Sequence, residues 1–244
     1  MEFGTMARMA VGTLVVMTAT EVVAARPGRV SAASIQQSPP VSEAAAQVKK
    51  GWEPVCKPLS QRTGELGCWI TAHTELGVLP RKPIFWHLYT YPTRAAAEAA
   101  KGSRGTVVES LGKVWLLAID VGGWRPTGGE RVARVGPLPL NAGTKYSAQY
   151  MEAIFTPGMT APAHRHSGPE AWYTLSGETC LETPAGKMVG RAGGAHVIVP
   201  GGPPMHLTAA GKETRRALVL ILHDSSKPPT TPAHDWTPKG LCKN

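Results

Sequence analysis

Short apolar runs with a period of two, separated by Gly and Pro, fill the second half of the chain and predict a protein built mainly from β-strands. Residues 146–155, 172–175, 197–199, 206–209 and 217–223 carry this pattern. Their spacing suits an antiparallel barrel or a jelly roll of two sheets, which would enclose side chains or a ligand. Upstream, residues 84–91 and 114–119 are rich in strand formers. Between them, Pro92 and Thr93 lead into an Ala- and Glu-rich stretch, 94–101, that reads as a short helix. Strand, helix, strand predicts an α+β segment over 52–125 packed on a barrel over 126–244, with Gly122-Gly123, Pro126 and Gly128-Gly129 marking the passage between them. The alternative for 52–125 is a degenerate first barrel, which would make the chain a two-barrel protein.

The pattern is absent from the amino terminus. Residues 1–5 read as vector-encoded, ahead of a second start at Met6. Arg8 then leads into an apolar stretch, 9–19, followed by small residues that offer cleavage after Ala25 or Ala32, so residues 1–32 are read as this leader plus an export signal. The stretch is too short to span a bilayer. The expectation is a periplasmic or secreted protein with no membrane span in the mature chain; a cytoplasmic protein with an irregular tail is the alternative. Residues 33–51, rich in Ser, Ala, Gln and Pro, read as a flexible linker. Export gives the four cysteines a meaning, because an even number in an oxidising compartment predicts two disulfides. Three connectivities are open. Cys56 with Cys68, closing a local loop, and Cys180 with Cys242, pinning the tail to the barrel, is the preferred set. No Cys-x-x-Cys occurs, which argues against a structural zinc site built from these residues.

Composition narrows the function classes. An apolar fraction of 42% in 244 residues is ample for a packed core. The net charge of +9 is dispersed, with no basic cluster longer than a pair such as Arg215-Arg216, and few aromatics lie among the charges. No nucleic-acid partner is expected; a basic surface could instead draw in an anionic small-molecule substrate.

The chemistry concentrates in two runs. In the first, His164 and His166 would point to one face of a strand, and Glu170 follows a Ser-Gly-Pro bend that lets its carboxylate swing back to the same point. His206, in the second run, would come from a separate strand. Three imidazoles and a carboxylate suit a divalent transition metal, Fe, Mn, Ni, Cu, Co or Zn, and affinity order alone does not choose among them. Such a set leaves one or two positions free for water, dioxygen or substrate, and Glu170 could act as general base towards a metal-bound hydroxyl. Counting by two from Glu170 puts Trp172 and Thr174 on the ligand face, and counting from His206 puts Thr208 there; these three are substrate-pocket candidates. His196 and His223 are candidate hydrogen-bond partners of the ligands, and His73 and His87 read as structural.

The two runs resemble the signature motifs of the cupin superfamily. Gly158, His164, His166, Glu170 and Gly177 match every element of the first motif. Gly194, Pro200, Gly202 and His206 match the second with one residue inserted before the His, and Ala210 stands where that motif has Asn. The resemblance covers residues 144–223 and implies a metal-binding cupin barrel, a double-stranded β-helix or jelly roll. Cupins with four ligands include dioxygenases acting on enols, flavonols or diketones, lyases and isomerases, hydroxynitrile lyases among them, decarboxylases and some binding proteins. The resemblance therefore implies a metalloenzyme, with a dioxygenase acting on a small enolic or phenolic substrate as the first expectation. A non-redox lyase or isomerase comes second and an exported binding protein without turnover third. A homodimer is common among such proteins.

Overall fold

The computed structural model describes residues 56–242. The vector-encoded residues, the export signal and the linker expected over 33–51 lie outside the described residues. In chain order the elements are β1 (Cys56–Pro58), β2 (Gly67–Val78), β3 (Ile84–Tyr91), α1 (Arg94–Ala100), β4 (Gly105–Ser110), β5 (Lys113–Val121), β6 (Glu130–Val135) and β7 (Lys145–Phe155). There follow β8 (Thr160–Arg165), β9 (Glu170–Ser176), β10 (Glu178–Thr183), β11 (Gly186–Arg191), β12 (Val197–Val199), β13 (Met205–Ala210), β14 (Arg215–Asp224) and β15 (Thr231–Pro232).

These strands make three sheets, in the orders β1-β2-β7-β14-β9-β12, β11-β10-β13-β8-β15 and β4-β5-β3-β6. All pairings are antiparallel except β1 with β2. The first two sheets face each other across a core that holds Met151, Phe155, Trp172, Leu181, Met205, Leu207, Val219 and Ile221. The third lies on the other face of the first, with Trp86, Leu88, Trp115 and Leu117 packed on Tyr146, Ala148, Tyr150, Leu218, Leu220 and Leu222. The six-stranded sheet is thus covered twice. This is why β7 and β14 are buried along almost their whole length, polar Ser147, Gln149 and Glu152 included, where a strand with one wet face would alternate between buried and exposed. Each large side chain so buried contributes about 1.5–3 kcal/mol.

The mainly β class with an α+β portion is what the sequence leads one to expect. Helix α1 is capped by Thr93, whose side chain accepts from the Ala96 amide at 3.2 Å. The sheets do not part at residue 125, however: β2 pairs with β7 inside the metal-motif sandwich, and β6, beyond that point, belongs to the four-stranded sheet. No second two-sheet barrel forms among the described residues, which removes the two-barrel alternative, and the motif-bearing part is a pair of facing sheets rather than a closed barrel. Strand β2 escapes a period-two reading because bulges at Ile70/Ala72 and Glu75/Gly77 break its alternation.

Both preferred disulfides are present, Cys56–Cys68 across the β1-β2 pair and Cys180–Cys242 from β10 to the tail, and no cysteine is free. Two disulfides point to an oxidising compartment. Among the described residues no helix is long and apolar enough to cross a membrane.

Candidate metal centre

The two motif loops meet backbone to backbone. A Cβ on Gly201 would stand 2.5 Å from the Gly168 Cα, and one on Gly168 would stand 2.0 Å from the Leu222 carbonyl oxygen, so only glycine fits either place. The Gly202 amide donates to the His166 carbonyl at 2.8 Å, tying the second loop to the first. This junction sets the ends of β8 and β9, which carry the ligands.

On β8 a bulge opposite Met205 and Leu207 re-aims the chain so that His164 and His166 both face the inter-sheet core. Their rings stand 4.9 Å apart and nearly perpendicular. His164 Nδ1 donates to the Pro162 carbonyl and His166 Nδ1 to the Pro229 carbonyl, each at 2.6 Å. With the proton fixed on Nδ1, each Nε2 keeps its lone pair for a ligand. Pro229 comes just before β15, whose pairing with β8 braces the ligand strand from outside.

Glu170 completes the group. Its Oε2 lies 2.9 Å from His166 Nε2 and 4.0 Å from His164 Nε2, and ligand atoms of all three residues fall within 4.8 Å of one another. Although the His166–Glu170 contact is short, both atoms are buried without hydrogen-bond geometry towards any partner. Two ligand atoms each about 2.1 Å from one ion and at right angles to each other stand about 3 Å apart, so atoms that face a common third point account for this geometry. The residues fit a divalent transition metal. In the ion-free protein, burial lowers the His164 pKa, reinforced by the His166 charge. Burial also opposes the charge of His166, but the Glu170 carboxylate and the Pro229 carbonyl outweigh it and raise that pKa.

His206 does not join the three. It faces the outside of the five-stranded sheet, paired with Glu182 across the β10-β13 ladder, and lines a cavity of about 580 Å³ there with Thr208 and Lys239. The inserted residue is the reason: strand parity flips with each position, so Met205, opposite His164 in the ladder, takes the interior place that His206 was expected to hold. Thr208 goes outward with it and is not next to the ligands. Trp172 and Thr174 lie on the Glu170 face as expected, Trp172 in the inter-sheet core and Thr174 bonded to Thr179 at 3.2 Å. His196 sits on the opposite face beside Tyr173, with ring centroids 5.6 Å apart. His87 is buried on the Val121 carbonyl, and His73 meets His223 at 3.1 Å between Nε2 atoms.

Arg215, half of the Arg215-Arg216 basic pair, is a residue that its charge does not mark as interior. Its side chain is wholly buried. It shares a face with Ala217, Val219 and Ile221, and counting back by two along β14 from those core positions would have placed it inside.

No family model matches the chain, and no curated protein matches it. Among solved structures, the DMSP lyase DddQ from Ruegeria pomeroyi DSS-3 is 21% identical over 38% of this chain, with a TM-score of 0.31. The match covers 45% of the lyase. A cupin superfamily protein from Desulfitobacterium hafniense DCB-2 is 17% identical over 36% of this chain and 74% of that one, with a TM-score of 0.29. A recombinant oxalate oxidase in complex with glycolate is 24% identical over 36% of this chain and 45% of that one, also with a TM-score of 0.29. The likeness is one of fold alone.

Proposed function

We propose that this chain, mainly β and of cupin fold, is a metal-dependent oxygenase acting on a small enolic or phenolic substrate. The observation that carries the reading is the donor set: two histidines and one carboxylate, buried and converging, with no fourth His, Cys, Asp or Glu in the group among the described residues. A two-histidine, one-carboxylate face leaves up to three positions of an octahedral ion open, the pattern associated with non-haem iron oxygenases. The ion would supply Lewis acidity and a place for dioxygen beside the substrate oxygen. Pro162 and Pro229 hold the two imidazoles in the tautomer that presents Nε2. Glu170 would act as base, accepting a proton from the substrate hydroxyl through its carboxylate. Trp172 walls the face next to Glu170 and keeps water away from the reacting oxygen. Export to the periplasm or beyond belongs to the same reading and agrees with the two disulfides.

Dioxygen consumption with a panel of enols and phenols, measured on iron-reconstituted protein, tests this. Uptake that disappears in His164→Ala is the expected result; turnover unchanged without oxygen would refute it. The same donor set also suits catalytic zinc, so anaerobic turnover of the zinc form would move the assignment to a lyase or isomerase.

A further inference from the structure

Arg215 is an arginine held inside the sandwich with both terminal nitrogens of its guanidinium unused as hydrogen-bond donors. Its Nε donates to Thr179 Oγ1 at 2.5 Å, and its guanidinium lies 5.7 Å from the centroid of the Phe155 ring. Both terminal nitrogens are buried and have no acceptor among the described residues. Burial pushes the guanidinium pKa down to about 10, and the Glu170 carboxylate, whose field opposes that, is the counter-charge acting on it. At neutral pH the side chain is therefore cationic. A buried cation is costly unless an anion with matching hydrogen-bond acceptors meets it, and if Glu170 is committed to a metal ion its charge is shared with that ion.

The guanidinium and the metal centre lie on one continuous face. Thr179, which anchors Arg215, is bonded to Thr174, and Thr174, Trp172 and Glu170 are successive inward positions of β9. Four residues of strand separate Glu170 from Thr174, about 13 Å, and side chains reach into that span from both ends. The two free terminal nitrogens can each aim one N–H along a planar fork, which matches two oxygens of a carboxylate.

We propose that Arg215 is a substrate-binding residue whose free fork receives a carboxylate, so that the substrate carries a metal-binding hydroxyl at one end and a carboxylate at the other. The assignment rests on the metal-centre reading for the position of the hydroxyl end and on Arg215 alone for the carboxylate end. The dispersed positive charge of the whole chain would favour the approach of such an anion.

Isothermal titration of the full-length, zinc-reconstituted protein with 4-hydroxybenzoate and with neutral 4-hydroxybenzamide tests the assignment. The acid is expected to bind at least tenfold more tightly than the amide. In Arg215→Met that preference should fall to within about twofold while zinc content and near-ultraviolet circular dichroism stay unchanged. Arg215→Lys keeps the buried charge but loses the fork, and guards against a methionine variant that fails to fold; it should lose at least threefold of the preference. Equal binding of acid and amide to the unaltered protein, or an undiminished preference in the lysine variant, would overturn the assignment. A protein that binds no zinc yet keeps an Arg215-dependent preference for the acid would sink the metal-centre reading and leave this one standing.

Discussion

Met205 and His206 exchange the roles that residue type alone would give them, and the exchange has measurable consequences. His206→Ala should leave metal stoichiometry unchanged, whereas His164→Ala or Glu170→Ala should abolish it; elemental analysis of protein purified without a metal-affinity column distinguishes these outcomes. Met205→His would put an imidazole at the ladder position opposite His164, and chelator competition should then show metal affinity raised by tenfold or more. The first motif was legible because its spacing encodes local geometry, one strand and one turn. The second is not legible in the same way, because a single residue in Gly201-Gly202-Pro203-Pro204 decides which face a whole strand shows, and no local pattern records that. Arg215 is hard to read for a related reason: its charge suggests solvent, while strand parity places it inside.

At the scale of elements, β3 carries a buried histidine in a sheet whose other buried polar groups are Asp120 and Ser110. Burial lowers the His87 pKa, against the opposing bond to the Val121 carbonyl, so the folded protein favours the neutral ring. The unfolded chain takes up a proton near pH 6.5, and the stability contributed by His87 is complete above that value and lost as pH falls through the lower folded pKa. Urea denaturation should therefore give a lower midpoint at pH 5.5 than at pH 7.5, and His87→Gln should reduce, without removing, that difference, because His196, His206 and His223 have lowered values too. The loops at the motif junction are equally constrained. Gly201→Ala would drive a methyl into Gly168 and should cost about 1–3 kcal/mol, read as a fall in Tm together with loss of bound metal.

For the whole molecule, the covalent links tie β1 to β2 and the carboxyl-terminal tail to β10. Cys180–Cys242 closes a 62-residue separation and Cys56–Cys68 one of 12, which chain-entropy reasoning puts at about 4 and about 3 kcal/mol. Cys180→Ser should thus lower the unfolding free energy by a few kcal/mol in guanidinium titrations and free the tail from Glu182, whose carboxylate accepts from the Lys239 and Leu241 amides. The strand pattern foretold the sandwich but not the third sheet's place on its back. That placement follows from β7 and β14, whose apolar faces both need cover. A gene fragment starting at residue 126 would keep every motif residue, yet it would strip β2 from β7 and bare an apolar sheet face together with an unpaired strand edge. The signature-bearing half is in this sense not a portable cassette: transplanted alone into another protein, it would bring a template for aggregation along with its metal ligands.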